Sequence, residues 1–306
     1  MKALVTGGAG FIGSNLVKFL CDRGHKVTAL DDFSSSGRKN IDPRARLVRG
    51  SIGDADLLKK LVKGQEVVFH LAATGIIKRS LENPTLYFRN NFINGVKLLD
   101  VMREFGVRKM IYSSTAAVYG EPKRVPVKES DVKQPVNPYG AAKYAFENVL
   151  SSYCHAYGIE SVSLRYFNVY GPGDEQRPAT RAVPNWIKAA LRNDPLILYW
   201  GGKQVKDYIF VGDVIRANLL AAQKGRGCSV YNVGGGVGRK MLAVTRILEK
   251  VFGRKLAIKE MGDRAGDPNI LIADIGKIKR ELGWKPRVSF EEGLRRTIEY
   301  YDENLH

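Results

Sequence analysis

The sequence predicts an α/β protein, a doubly wound parallel sheet followed by a smaller C-terminal α/β domain. Three observations carry this. A short apolar strand at the start of the chain runs into a glycine-rich turn and then a helix. Strand and helix patterns then alternate to about residue 168, the order that builds a parallel sheet with helices on both faces. Beyond it, Gly171-Pro172-Gly173 and Arg177-Pro178 interrupt the alternation.

The first strand is Lys2-Ala3-Leu4-Val5, the turn runs from Thr6 to Gly13, and the helix from Ser14 to Leu20. Both Gly8-Gly10-Gly13 and Gly7-Gly10-Gly13 have dinucleotide-loop spacing. Such glycines let the chain turn tightly and let a pyrophosphate reach the helix N-terminus. A second strand, Lys26 to Leu30, ends at Asp31, the spacing at which a carboxylate takes the adenosine ribose hydroxyls. A carboxylate there repels a 2′-phosphate, so NAD is expected over NADP.

Arg46 to Arg49 reads as a strand, Asp54 to Lys63 as a helix, and Val67 to Leu71 as a strand entering Ala72-Ala73, where small residues let backbone lie close to a dinucleotide. Pro84 to Phe105 reads as one long helix with Asn90 and Asn91 early in it. Lys109 to Tyr112 is a strand leading into Ser113-Ser114-Thr115, Tyr139 to Tyr157 a helix, and Ser161 to Arg165 a strand. Ligands in such sheets sit beyond the carboxyl ends of the strands. The glycine loop, Asp31, Ala72, Thr115 and Asn168 all fall there.

Tyr139 and Lys143 stand four residues apart, one turn on one helix face. A free phenol ionises at about pH 10, too high for a base at neutral pH. A neighbouring ammonium favours the phenolate, so the pair is a tuned acid/base candidate.

In the second half, Val183–Leu191, Asp213–Gln223, Arg246–Phe252 and Ile275–Leu282 read as helices, and Leu196–Tyr199 and Ser229–Val233 as strands. Gly234-Gly235-Gly236 reads as a plain turn. The expected division is a dinucleotide-binding domain over 1–168, with segments of 208–236 returning to it, and a substrate domain over 169–207 and 237–306.

The 306 residues are 44% hydrophobic, ordinary for a soluble globular protein. No apolar run reaches the about 18 residues of a membrane span, and the early strand leaves no room for a signal peptide. Cys21, Cys154 and Cys228 are scattered, with no metal-type or disulfide spacing, so no metal and a reducing cytoplasm are expected. The net charge of +18 could attract nucleic acid or anionic membrane. However, Lys and Arg are spread along the chain, so the charge reads as a cationic surface that favours anionic small molecules, and neither nucleic acid nor membrane is expected as a partner.

Assembled, the chain resembles the extended short-chain dehydrogenase/reductases, and among them the nucleotide-sugar 4-epimerases. The carrying motifs are Thr6-Gly7-Gly8-Ala9-Gly10-Phe11-Ile12-Gly13, His70-Leu71-Ala72-Ala73, Ser113-Ser114-Thr115-Ala116-Ala117-Val118-Tyr119-Gly120, Tyr139-x-x-x-Lys143, Leu164-Arg165-Tyr166-Phe167-Asn168, Asp207-Tyr208-Ile209-Phe210-Val211 and Arg264-x-Gly266-Asp267-Pro268. The resemblance implies a Rossmann-type sheet and NAD held by Gly7, Gly10, Phe11, Ile12, Gly13, Asp31, Asp32, Ser51, Ile52, Leu71, Ala72, Ala73, Asn90, Ser113, Tyr139, Lys143 and Tyr166. It implies 4-epimerisation of a UDP-sugar, UDP-galactose to UDP-glucose, through a transient 4-keto sugar. Tyr139 is then the base, Thr115 bonds the sugar 4-hydroxyl and Lys143 tunes Tyr139. Asn168, Lys206 and Arg264 contact the diphosphate, Tyr199 the uracil and Asp267 the ribose, with Val183 beside the substrate.

A homodimer through the helices around Pro84–Phe105 and Tyr139–Tyr157 is also implied. Lys206 stands where an arginine is usual and loses its bidentate geometry. Ser51 stands where an aspartate is usual and offers no carboxylate to the adenine. Sister dehydratases carry Asp-Glu at Ala116-Ala117, and decarboxylases a Glu at Ala117, so the two alanines favour epimerisation. An epimerase of another nucleotide sugar is the nearest alternative, and a nucleic-acid-binding relative without catalysis the more distant one. Leu271, four residues beyond Asp267, either lines an open sugar pocket that admits N-acetyl groups or belongs to the core.

Overall fold

The computed structural model describes residues 1–35, 37, 41–174, 181–262 and 268–304. Arg264 and Asp267 lie outside the described residues. The main sheet has seven parallel strands, β1 (Lys2–Thr6), β2 (Lys26–Asp31), β3 (Arg46–Arg49), β4 (Val67–His70), β5 (Lys109–Thr115), β6 (Glu160–Tyr166) and β10 (Cys228–Val233), in the order β10-β6-β5-β4-β1-β2-β3. The order reverses direction at β1, with Thr6 opposite Leu30 on one side and His70 on the other. That switch point opens the crevice where open α/β sheets take their ligands.

Parallel strands are buried on both faces, which is why β4 reads as the unbroken apolar run Val67-Val68-Phe69. One face is covered by α1 (Phe11–Cys21) and α8 (Val211–Lys224). The other is covered by α2 (Ala55–Val62), α5 (Asn94–Glu104) and α6 (Pro138–Tyr157). Asp54 caps α2 by accepting from the Leu57 N–H, so the Asp54–Lys63 segment forms its helix at the expected place.

The single helix expected over Pro84–Phe105 is interrupted. It comprises α4 (Pro84–Phe88), one π-helical turn over Arg89–Ile93, and α5. The cause is local. Asn91 leaves the helical register to grip Thr74, accepting its N–H at 2.8 Å and donating to its carbonyl at 2.9 Å. Such π-turns recur at functional sites. The short helix α3 (Ile77–Glu82) precedes it.

Past residue 168, β7 (Asn168–Tyr170) leads by way of α7 (Ala182–Leu191) and β8 (Leu196–Tyr199) to β9 (Val205–Phe210). Strand β9 stays in a second sheet with β7, β11 (Gly238–Lys240) and β13 (Ile270–Leu271), so α8 and β10 are what return to the main sheet. A separate pair joins β8 to β12 (Ile258–Met261), and α9 (Met241–Phe252), α10 (Gly276–Leu282) and α11 (Phe290–Asn304) complete the chain. Asp207 ties these parts together. Fully buried, it accepts the N–H groups of Gly235, Gly236 and Ala273 at 2.6, 2.9 and 3.0 Å. The triple glycine is thus a turn wrapped around a carboxylate.

Burial pushes the Asp207 carboxyl up to about 6, against the pull of its N–H donors. A carboxyl raised on folding favours the fold most below its unfolded value, about 3.9, and that contribution is lost as pH rises through its folded value. Urea midpoints should therefore carry a declining component between about pH 4 and 6. Asp207→Asn should flatten that window. It should also cost about 1–3 kcal/mol, since an amide nitrogen faces an N–H donor.

Candidate active site

One cleft of about 1220 Å³ runs along the carboxyl ends of the strands and on between α7 and β8. The glycine loop forms one wall. Gly13 packs so closely that a Cβ there would stand 2.0 Å from the Gly7 carbonyl oxygen, and that oxygen belongs to rigid backbone. Asp31 braces the loop from β2, accepting the Ala9 N–H at 2.9 Å and the Phe33 N–H at 2.8 Å. It is buried, and burial raises its carboxyl above the ordinary range. The acid that lines the cleft beside the loop is its neighbour Asp32.

The opposite wall begins at α6. Asn137 caps the helix, accepting the Gly140 N–H at 2.8 Å, and Pro138 occupies the first turn. Gly140 lies where a Cβ would meet the Ala117 carbonyl oxygen at 2.6 Å, so α6 sits directly on the short turn that follows β5. This brings Tyr139 beside Thr115, and both line the cleft. Lys143 is buried below, its Nζ donating to the Ser113 carbonyl at 2.7 Å and lying 4.8 Å from the Tyr112 ring centre.

The electrostatics differ from the sequence expectation. Burial raises Tyr139, while its bond with Thr115 and the charge of Arg181 pull it down. Lys143 donates to Ser113, and burial brings its own value down to about 7 with Glu147 opposing. Arg181, which the sequence reading missed, adds a cation that favours the Tyr139 phenolate. Arg181 lines the cleft and pairs with Asp174 at 2.6 Å. A lone arginine before an apolar helix carries no pattern that would have singled it out.

Of the other expected residues, Gly7, Gly10, Phe11, Ile12, Leu71, Ala73, Asn90, Ser113 and Tyr166 line the cleft near the loop and α6. Asn90 is aimed by the π-turn and donates to Thr74 Oγ1 at 3.1 Å. Asn168, Val183, Tyr199 and Lys206 line its far part. Asn168 also donates to the Asp207 carbonyl at 3.0 Å, and Lys206 to the Pro268 carbonyl at 2.7 Å. Besides Asp31, three expected contacts fall outside the lining. Ser51 turns back on its own loop, accepting the Gly53 N–H at 3.1 Å. Ile52 packs in the core, and Ala72 donates its N–H to Thr6 Oγ1 at 3.3 Å. Leu271 is core as well, packed with Ala116, Val118 and Phe167, so the open-pocket idea loses its residue. Among the described residues no metal-holding group of His, Cys, Asp or Glu exists, the three cysteines are free thiols, and no helix is long and apolar enough to cross a membrane.

A dinucleotide cradle sharing one cleft with a tyrosine beside a threonine has the equipment of a nicotinamide-dependent enzyme. Comparison with known proteins narrows the class: the chain belongs to the NAD dependent epimerase/dehydratase family, whose profile matches residues 3–234. It is 37% identical to the UDP-glucose 4-epimerase of Lacticaseibacillus casei, over 99% of this chain and 97% of that protein. Its fold is similar to the crystal structure of UDP-glucose 4-epimerase from Thermotoga maritima with UDP-glucose, at TM-score 0.96 and 38% identity, covering all of both chains. It is likewise similar to the UDP-N-acetylglucosamine 4-epimerase of Methanobrevibacter ruminantium in complex with UDP-N-acetylmuramic acid, at TM-score 0.94 and 35% identity over 99% of this chain and 98% of that one.

NAD is the cofactor of this family, and the cradle fits it. The loop backbone leaves no room for a side chain at Gly13, and an acid stands beside it. Gly13→Ala should abolish NAD binding in calorimetry and lower the melting temperature, because the new methyl must displace loop backbone. Unchanged NAD affinity would show that the loop is not the cradle.

Proposed function

We propose that the protein is an NAD-dependent UDP-sugar 4-epimerase that interconverts UDP-galactose and UDP-glucose. The observation that carries this is the poverty of the cleft in acids and bases. Among the described residues lining it, Asp32 is the one acid, at the loop end, and none is a histidine. Eliminating water or expelling a carboxylate asks for further proton-moving groups beside the sugar. Ala116 and Ala117 supply none. A 4-epimerisation asks only for a group that takes the proton of the 4-hydroxyl and gives it back.

Tyr139 is that group. As phenolate it accepts the hydroxyl proton, while Thr115 holds the same oxygen by a hydrogen bond. Bound NAD supplies a hydride acceptor at C4 that can also return the hydride. Arg181 and the Thr115 bond favour the phenolate that burial disfavours. Lys143, donating to the Ser113 carbonyl, anchors α6 against β5 and carries its charge beneath the reacting centre. The UDP portion lies along Asn168, Lys206 and Tyr199, the cation and the amide toward the diphosphate and the aromatic against the base. That anchorage lets the flat 4-keto sugar turn and take its proton and hydride on the other face. Arg264 and Asp267 belong to the same proposed anchorage by motif.

Tyr139→Phe should lower kcat by about 10²–10⁴-fold with UDP binding kept. Thr115→Ala should be milder, since it only holds the oxygen. Near-full turnover by Tyr139→Phe would discard the assignment. A UDP-N-acetylhexosamine is the second reading, favoured by the N-acetyl-sugar epimerase among the relatives. Rates on UDP-galactose against UDP-N-acetylgalactosamine decide between the two. We also propose a homodimer through α4–α5 and α6, where Phe88, Ile93 and Tyr157 are exposed. Light scattering should give twice the 34.0 kDa chain mass, and a monomer at micromolar protein would refute it.

A further inference from the structure

We propose that Glu147 is a positioning residue for the Thr115–Tyr139–Lys143 centre, acting through Ser114 and Arg165. The inference rests on the reading of that centre given above. Tyr139, Lys143 and Glu147 follow at four-residue steps on α6, one stripe facing the sheet. Glu147 lies at its buried end and is not part of the cleft lining.

Its carboxylate accepts the Ser114 hydroxyl at 2.5 Å and is gripped in a fork by Arg165, Nε at 3.0 Å and Nη2 at 2.6 Å. Ser114 and Arg165 are register partners on β5 and β6, as are Thr115 and Tyr166 directly after them. Glu147 therefore clamps two neighbouring strands where they reach the cleft, at Ser114 in its lining and at Arg165 one residue before Tyr166 enters it. Arg165 then reaches round Thr115. Its Nη1 donates to the Tyr119 hydroxyl at 2.8 Å and to the Glu129 carbonyl at 3.2 Å, and Tyr119 donates to Asn232 Oδ1 at 2.7 Å. Thr115 thus sits between two anchored points, Ser114 before it and Tyr119 after it, and both lead back to one ion pair.

Stability alone is a poor account of that pair. Buried ion pairs are often matched or bettered by apolar side chains of similar volume, and what they add is a fixed geometry. Here the fixed geometry is the height of α6 over β5, because Lys143 and Glu147 stitch the helix to consecutive residues, the Ser113 carbonyl and the Ser114 hydroxyl. Glu147 also adds a negative charge one turn from Lys143. The other groups facing Lys143 are the Tyr112 ring from β5 and neutral, buried His70 from β4. Glu147 itself is faced by Arg165, Tyr112 and Lys133.

Three variants test this beside Tyr139→Phe. Ser114→Ala cuts only the bond to β5 and leaves the ion pair. Glu147→Met/Arg165→Met removes both charges together and leaves neither unpaired. Glu147→Gln removes one charge. Ser114→Ala and the double variant should bind NAD and UDP as the unaltered protein does, yet lose kcat by about 10- to 100-fold, the scale of a small misplacement of reacting groups. With its anion gone, Lys143 should lose its proton at lower pH, and with it the charge it carries beneath the reacting centre, so the pH profile of kcat in Glu147→Gln should differ from that of the unaltered protein. A merely structural role predicts lower melting temperatures with kcat and the pH profile unmoved. That result in Ser114→Ala overturns the proposal, even if the charge variants fail to fold. Turnover that survives Tyr139→Phe would instead sink the reading of the centre itself.

Discussion

The site depends on how closely α6 rests on the end of β5. At Gly140 the helix backbone touches the Ala117 carbonyl, an approach that no side chain at that position could share. From the other side Phe146 lies where a Cβ on Gly95 would stand 2.7 Å from its ring, so α5 presses the same helix inward. Glycine therefore sets the spacing on both flanks. Interiors packed at crystal-like density transmit such a constraint along the whole element. Tyr139, Lys143 and Glu147 all inherit their places from it.

That spacing also explains the electrostatics. A helix held so near the sheet excludes water from Tyr139 and Lys143, and burial moves both, with His70 on β4, toward their neutral forms. Lys143 comes down to about 7, buried His70 falls to about 3, and Tyr139 rises. Burial thus holds the phenol and the amine in their neutral forms, and only the neighbouring charges and hydrogen bonds oppose it. The cleft beyond them is lined by cations, Lys78, Arg79, Arg181 and Lys206, against the one acid at the loop. The net charge of +18 is thus concentrated to some effect where an anionic nucleotide would lie.

Much of the fold was legible in the sequence because its signals are local. The glycine turn, the apolar runs and the alternation of strand with helix each depend on a few adjacent residues. The π-turn at Arg89–Ile93 was not legible, since the Asn91 side chain is held by Thr74, seventeen positions away. Nor was the allegiance of β9. Its run Val205–Phe210 reads like any strand, and it is pairing with β7, β11 and β13, together with the Asp207 carboxylate and its three distant N–H donors, that places it in the second sheet. Leu271 illustrates the same limit from the other direction. Its motif position pointed to the sugar, but its contacts are Ala116, Val118 and Phe167.

The sequence by itself determined the chemistry: a glycine loop followed by an acid, a Tyr-x-x-x-Lys pair, a threonine at the end of a strand, and two alanines where other reactions need proton carriers. These are choices of side chain, and a side chain keeps its functional group wherever it is placed. Only the tertiary structure decided which charges act on which groups. It turned Lys143 onto a backbone carbonyl, brought Arg181 to Tyr139 and drew Asp31 into bracing the loop. Coulomb energy and desolvation depend on distance and burial, and neither is a property of residues read along a chain.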